Sequence, residues 1–243
     1  MDLSGRTAIV TGGAQRIGKA LVLALAAAGC DIVLHYNGSH DAAQQTAAEA
    51  RSLGVRVLVH RLDLSRIETL SSLTAIAGVS LAPASILINN ASGFAKDTLS
   101  DLTLESWTAT LQTSLRAPVF LTQAFARALP PTQQGAVINI TDWRVERPYK
   151  THLSYTIAKA GLDAFTRAAA LHLAPRIRVN AIALGAMLPP PDRDQAYLDA
   201  IAARLPLQRA GGAEVVADAM LFLLQNDFVT GEIVRLDGGA HLV

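Results

Sequence analysis

The sequence predicts a doubly wound α/β domain with a parallel sheet of seven strands. Three observations predict it. Short β-branched runs alternate with longer helical segments, and a glycine-rich turn follows the first run directly. Of the 243 residues, 51% are hydrophobic and 17% charged, enough apolar material for one continuous core. Residues 1–243 are therefore read as a single domain.

The elements follow in order. Thr7–Val10 ("TAIV") is a β-prone run that stops at glycines, and Ile17–Ala28 is Ala- and Leu-rich and helical. Ile32–Tyr36 is the second strand, Ala42–Leu53 the second helix and Val55–His60 the third strand. Ile86–Asn89 is the fourth strand, and Leu104–Ala128 carries few enough breakers to be one long helix before Pro130–Pro131. The fifth strand is Ala136–Ile140, then a helix over Tyr155–Leu173 and a sixth strand over Ile177–Ile182. "LPPPD" (Leu188–Asp192) interrupts the chain after that strand, so about 185–205 is read as a loop over a substrate, since ligands bind beyond the carboxyl ends of parallel strands. Helix Ala213–Leu224 and strand Glu232–Leu236 close the domain.

Several classes of function are excluded. Lys plus Arg (21) nearly balances Asp plus Glu (20) without clustering, so no nucleic acid partner is expected. One cysteine, Cys30, rules out an internal disulfide and a multi-cysteine zinc site, and it suits a reducing, cytoplasmic setting. No metal is expected. The longest apolar run, Ala20–Cys30, falls short of the ~18 residues needed to span a bilayer, and the N-terminus lacks the regions of an export signal. No membrane partner is expected either.

"VTGGAQRIGKAL" joins the first strand to the first helix. Gly12 and Gly13 permit a tight turn, while Gly18 lets the helix begin close to a pyrophosphate whose charge the helix N-terminus stabilises. A fold preferring NAD carries an acidic residue at the end of the second strand to hold the ribose 2′-hydroxyl. His35–His40 contains none, and Asp31 lies at the wrong end. A 2′-phosphate would meet Asn37, Ser39 and backbone amides, with Arg16 supplying positive charge. NADPH is the expected cofactor.

The glycine turn, "NNAS" (Asn89–Ser92), the Tyr155-x-x-x-Lys159 pair, "RVNAIALG" (Arg178–Gly185) and "VTGEIVRLDGG" (Val229–Gly239) resemble, in type and order, the short-chain dehydrogenases/reductases. "TGGAQRIG", "HYNGS", "NNASGF" and Asp142, thirteen positions before Tyr155, resemble the pteridine reductase branch, including dihydromonapterin reductases. The resemblance spans essentially the whole chain and implies a Rossmann-type fold. It places Gly12, Arg16, Ile17 and Gly18 at the pyrophosphate, Asn37 and Ser39 at the 2′-phosphate, Asp63 and Leu64 at the adenine, and Asn90–Ala91 under the cofactor. It places Ser92, Phe94 and Met187 at the substrate, Phe94 as a ring stacked on a pterin, and it implies a homo-oligomer, with a tetramer as the expected form.

Three positions depart from that pattern. Ser114 stands where an asparagine usually supports a proton relay, and Leu184 replaces a proline before Gly185. Asn37–Gly38 offers weaker phosphate ligands than a pair containing arginine, which shifts the expected burden of NADPH affinity onto Arg16.

Residue chemistry gives the rest of the expectation. Tyr155 and Lys159, four apart on a helix, share a face. An adjacent ammonium would lower the tyrosine pKa from its usual ~10 toward the working pH, giving a proton donor. Asp142 could cap a turn. As an ionised carboxylate it would repel the oxyanion of ketone reduction, yet it could accept the N–H groups of a dihydropterin and, if desolvated, feed a proton to Tyr155. The expected function is therefore NADPH-dependent reduction of dihydromonapterin, dihydrofolate or a related dihydropterin, with Asp142, Tyr155 and Lys159 catalytic. The alternatives are a carbonyl reductase, for instance of 3-oxoacyl thioesters, and a non-catalytic NADPH-sensing module, against which the retained Tyr155 and Lys159 argue.

Overall fold

Thr7–Val10 forms the strand around which the rest of the chain is wound. In the computed structural model, which describes residues 1–243, this strand (β1) is buried throughout. It pairs in parallel with β2 (Asp31–Tyr36) on one side and with β4 (Ile86–Asn89) on the other. β3 (Val57–Arg61) lies outside β2, while β5 (Gly135–Asp142), β6 (Ile177–Leu184) and β7 (Ile233–Leu236) continue beyond β4. The sheet is all-parallel, in the order β3-β2-β1-β4-β5-β6-β7.

Eight α-helices complete the domain: α1 (Arg16–Ala27), α2 (His40–Arg51), α3 (Ser71–Ser80), α4 (Leu104–Leu111), α5 (Ala117–Ala128), α6 (Leu153–Leu173), α7 (Gln195–Ala202) and α8 (Ala213–Gln225). Strand side chains alternate between faces. Ala8, Val10, Ile32 and Leu34 pack with α1, α2 and α8, whereas Ile9, Val33, Leu87 and Val137 pack with α3, α5 and α6. Both faces are covered, which is why the strands read as continuous apolar runs. No helix is long and apolar enough to cross a membrane.

Strands β5 and β6 run two residues past their expected ends, because Thr141 and Asp142 stay in register with Ala183 and Leu184. Their tips thus extend the carboxyl edge of the sheet, where ligands bind, beside the point between β1 and β4 at which the strand order reverses.

The long helix expected over Leu104–Ala128 is divided by a turn of π-helix at Gln112–Arg116. Pro118 has no N–H for the Ser114 carbonyl, and its ring would crowd that carbonyl in α geometry; the wider turn relieves the conflict. α3 and α7 were not expected. α7 lies inside the segment read as a loop, where Asp194 restarts the helix by accepting the Tyr197 N–H at 3.0 Å.

Candidate active site

A cleft of about 560 Å³ opens along the carboxyl ends of β1, β2, β4, β5 and β6. On one side lie Gly12, Arg16, Ile17, Gly18 and Asn37, with Asp63 and Leu64 beyond. Asn90, Ala91 and Ser92 form the floor, and Asp142, Tyr155, Lys159 and Met187 the far wall. Ser39 and Phe94 are not among the lining residues. Ser39 precedes α2, two residues beyond Asn37. Phe94 stands at the mouth, about half exposed, edge-on to the Tyr155 ring at 4.8 Å and 4.2 Å from the His152 ring.

The glycine turn is fixed by close approach. Gly12 has φ +63°, and a Cβ there would sit 3.1 Å from the Ala91 Cα; a Cβ on Gly18 would lie 1.9 Å from the Gly12 carbonyl oxygen. Thr11 Oγ accepts the amides of Asn90 and Ala91 at 2.9 and 3.0 Å, and the Asn90 side chain donates to the Thr11 and Gly12 carbonyls at 2.9 and 3.1 Å. The turn and the floor of the cleft are therefore one hydrogen-bonded unit.

His35, which the sequence did not single out, completes it. Its Nδ1 accepts the Gly12 N–H at 3.1 Å, which leaves Nε2–H to donate to the Leu62 carbonyl at 3.0 Å. Burial lowers its pKa to about 4, so the ring is neutral in this role. Its place beside the turn residues in "HYNGS" was the only signal available. Arg16 adopts φ 56° and reaches across the cleft to donate to the Pro189 carbonyl at 2.7 Å.

At the far wall, β5 presents Asp142 and the first turn of α6 presents Tyr155. The Tyr155 hydroxyl donates to Asp142 Oδ2 at 2.9 Å, while Asp142 Oδ1 accepts the Arg144 N–H at 2.9 Å. The carboxylate thus both caps a turn and meets the tyrosine. Burial raises the Asp142 pKa against the opposing pull of these hydrogen bonds and of Lys159 and Arg144.

Lys159 corrects one expectation. Its ammonium is buried and donates to the Ile140 carbonyl at 2.7 Å, 5.6 Å from the Tyr155 ring centroid. The Tyr155 pKa lies well above 10, driven up first by burial and then by Asp142. The lysine does not lower it here, because the hydroxyl faces a carboxylate rather than an ammonium. Burial also brings Lys159 down to about 8, against the opposing charges of Asp142 and Asp163.

Loop 92–97 is held from two directions. Ser114, in the π turn, accepts the Gly93 N–H at 3.2 Å and bonds the Ser92 hydroxyl at 3.0 Å. Buried Asp97 accepts both the N–H and the hydroxyl of Ser154, immediately before Tyr155. Polar groups at the cleft base are paired as well: Asn89 donates to Asn139 at 2.8 Å, and Asn139 to Thr166 at 2.9 Å.

Comparisons with known proteins show the family of the chain. The family model described as enoyl-(acyl carrier protein) reductase matches residues 12–241. A 3-oxoacyl-[acyl-carrier-protein] reductase of Synechocystis sp. is 31% identical, covering 98% of this chain and 97% of that protein. Among solved structures, FolM alternative dihydrofolate reductase 1 from Brucella canis, complexed with NADP, has a TM-score of 0.95 at 36% identity, covering 100% of this chain and 96% of that one. Its counterpart from Brucella suis, also in complex with NADP, has a TM-score of 0.94 at 36% identity, covering 100% and 97%.

Proposed function

This chain belongs to the short-chain dehydrogenase/reductase superfamily, and from that premise we propose that it is an NADPH-dependent reductase of a dihydropterin, with dihydromonapterin and dihydrofolate as candidate substrates. The residues present suit a 2′-phosphorylated dinucleotide. No carboxylate stands at the end of β2, since Asp31 is at the opposite end and paired with Arg56 at 2.6 Å. The turn at Gly12–Gly18 leads into an α1 N-terminus with no side-chain cap, which leaves its amides to a pyrophosphate.

When bound, NADPH supplies the hydride that goes to a ring carbon. Asp142 and Tyr155 manage the proton that goes to a ring nitrogen. Tyr155 gives up its hydroxyl proton, and Asp142, whose proton affinity burial raises, takes up a proton from water and returns it across the same 2.9 Å hydrogen bond with the direction reversed. Asp142 also accepts a ring N–H and so orients the heterocycle. Lys159 keeps two N–H groups beyond its bond to Ile140 for ribose hydroxyls. Phe94, exposed beside Tyr155, offers a flat face, and Ser92 and Met187 border the same space.

The observation that carries this reading is the Tyr155 to Asp142 hydrogen bond, because a carboxylate in that place suits a nitrogen heterocycle and disfavours an oxyanion. A second reading, reduction of a 3-oxoacyl thioester or another carbonyl compound, is favoured by the name of the Synechocystis relative. The test is NADPH oxidation measured side by side with dihydromonapterin, dihydrofolate, dihydrobiopterin and a 3-oxoacyl substrate. Preference for the pterins supports the proposal; turnover of the 3-oxoacyl substrate alone sinks it.

We extend the proposal to a homo-oligomer, a tetramer being the expected form. Trp107, Leu111, Leu115, Val119 and Phe120 line an apolar groove along α4 and α5, and a second copy of this chain would cover it. A monomer in light scattering at micromolar concentration would contradict this.

A further inference from the structure

We propose that Arg61, at the end of β3, is the residue that makes this chain select a 2′-phosphorylated dinucleotide; the inference rests on the NADPH reading above. Arg61 is exposed, and it pairs in register with Tyr36, the residue before Asn37. Its Nε donates to the Asn37 carbonyl at 3.1 Å, which fixes the guanidinium beside the segment that follows β2. Neither terminal nitrogen has an acceptor in the chain, and Arg61 takes part in no ion pair. An arginine anchored at Nε still presents two parallel N–H donors, the arrangement that matches a phosphate.

Two residues of the turn after β2 can contribute to an anion site with it. Ser39 precedes α2 without using its side chain as a cap, so its hydroxyl and the Asp41 and Ala42 amides remain for an anion, the His40 amide being donated to the Gly38 carbonyl at 3.1 Å. The His40 Nδ1 and the Tyr36 hydroxyl share a hydrogen bond of 2.7 Å, which ties the start of α2 to the end of β2. Arg16, by contrast, is committed across the cleft to Pro189, at the edge of the substrate segment. The apparent weakness of Asn37–Gly38 as a phosphate ligand is thus offset by a cation from the next strand, not from the glycine turn.

The experiment measures binding of 2′,5′-ADP and of 5′-AMP to the full chain by isothermal titration at fixed ionic strength, for the unaltered protein, Arg61→Gln and Arg61→Lys. Arg61→Gln is expected to weaken 2′,5′-ADP about tenfold or more and to leave 5′-AMP unchanged, and Arg61→Lys to fall between the two. Equal weakening of both nucleotides would reduce Arg61 to a brace for Asn37 and overturn the proposal, as would no change in either. If the unaltered protein binds the two nucleotides equally, the NADPH reading itself fails, and this inference with it.

Discussion

The Tyr155 hydroxyl lies 2.9 Å from Asp142 Oδ2, so the proposed proton donor is hydrogen-bonded to a carboxylate whose pKa burial has raised. If that pair delivers the proton, Tyr155→Phe lowers kcat for dihydropterin reduction by about 10²- to 10⁴-fold. Binding of 2′,5′-ADP, which requires no proton transfer, stays as it was. A loss in kcat smaller than about tenfold would remove Tyr155 from the role of donor.

Lys159 is expected to set the alkaline limit of activity. Its pKa is held down to about 8 by burial, so the ammonium is lost above that pH and kcat/KM should fall there. Lys159→Arg keeps a cation throughout the accessible range and is expected to move the limb to higher pH. An unchanged limb in the variant would assign it to another group.

His35 makes stability depend on acid. Its folded-state pKa of about 4 lies below the ordinary 6.5, so between those values the unfolded chain binds a proton that the folded chain refuses. Its contribution is complete above about pH 6.5 and is lost as the pH falls toward 4, amounting to about 3 kcal/mol. Denaturant titrations of His35→Gln should show a shallower decline over that window. A decline parallel to the unaltered protein's would contradict the assignment.

Asp97 ties the loop that carries Phe94 to the start of α6. Asp97→Ala leaves the Ser154 N–H and hydroxyl without an acceptor in a buried place, at a cost of about 1–3 kcal/mol. Thermal unfolding checks this directly. A change below about 0.5 kcal/mol would show that the loop is held chiefly by Ser114.

The strands were legible because their apolar, β-branched runs are covered on both faces and stand out at any register. α3 was not, since "SSLTAIAGVS" offers little beyond short and small residues, and its helicity depends on packing Leu73 and Ala77 under the sheet. The π turn was hidden because "QTSLR" reads as helix, and only the clash of Pro118 with the turn before it demands the wider geometry. In the site, spacing brought Tyr155 and Lys159 to one helix face. It could not show that Lys159 would be drawn to the carbonyl of Ile140, nineteen residues away, or that Tyr155 would turn to Asp142. Arg61 and His35 escaped notice for the same reason: their roles arise from parallel pairing of β2 with β3 and from β1 lying beside β2, which local spacing does not encode.

The central claim, that Asp142 selects a nitrogen heterocycle, is tested most directly by Asp142→Ser. Serine can still accept the Arg144 N–H, so the turn is expected to fold. Measured as kcat/KM on a dihydropterin and on a 3-oxoacyl substrate, the variant should lose about 10²-fold or more on the pterin while carbonyl reduction is kept or gained. Pterin turnover unchanged in Asp142→Ser would contradict the account.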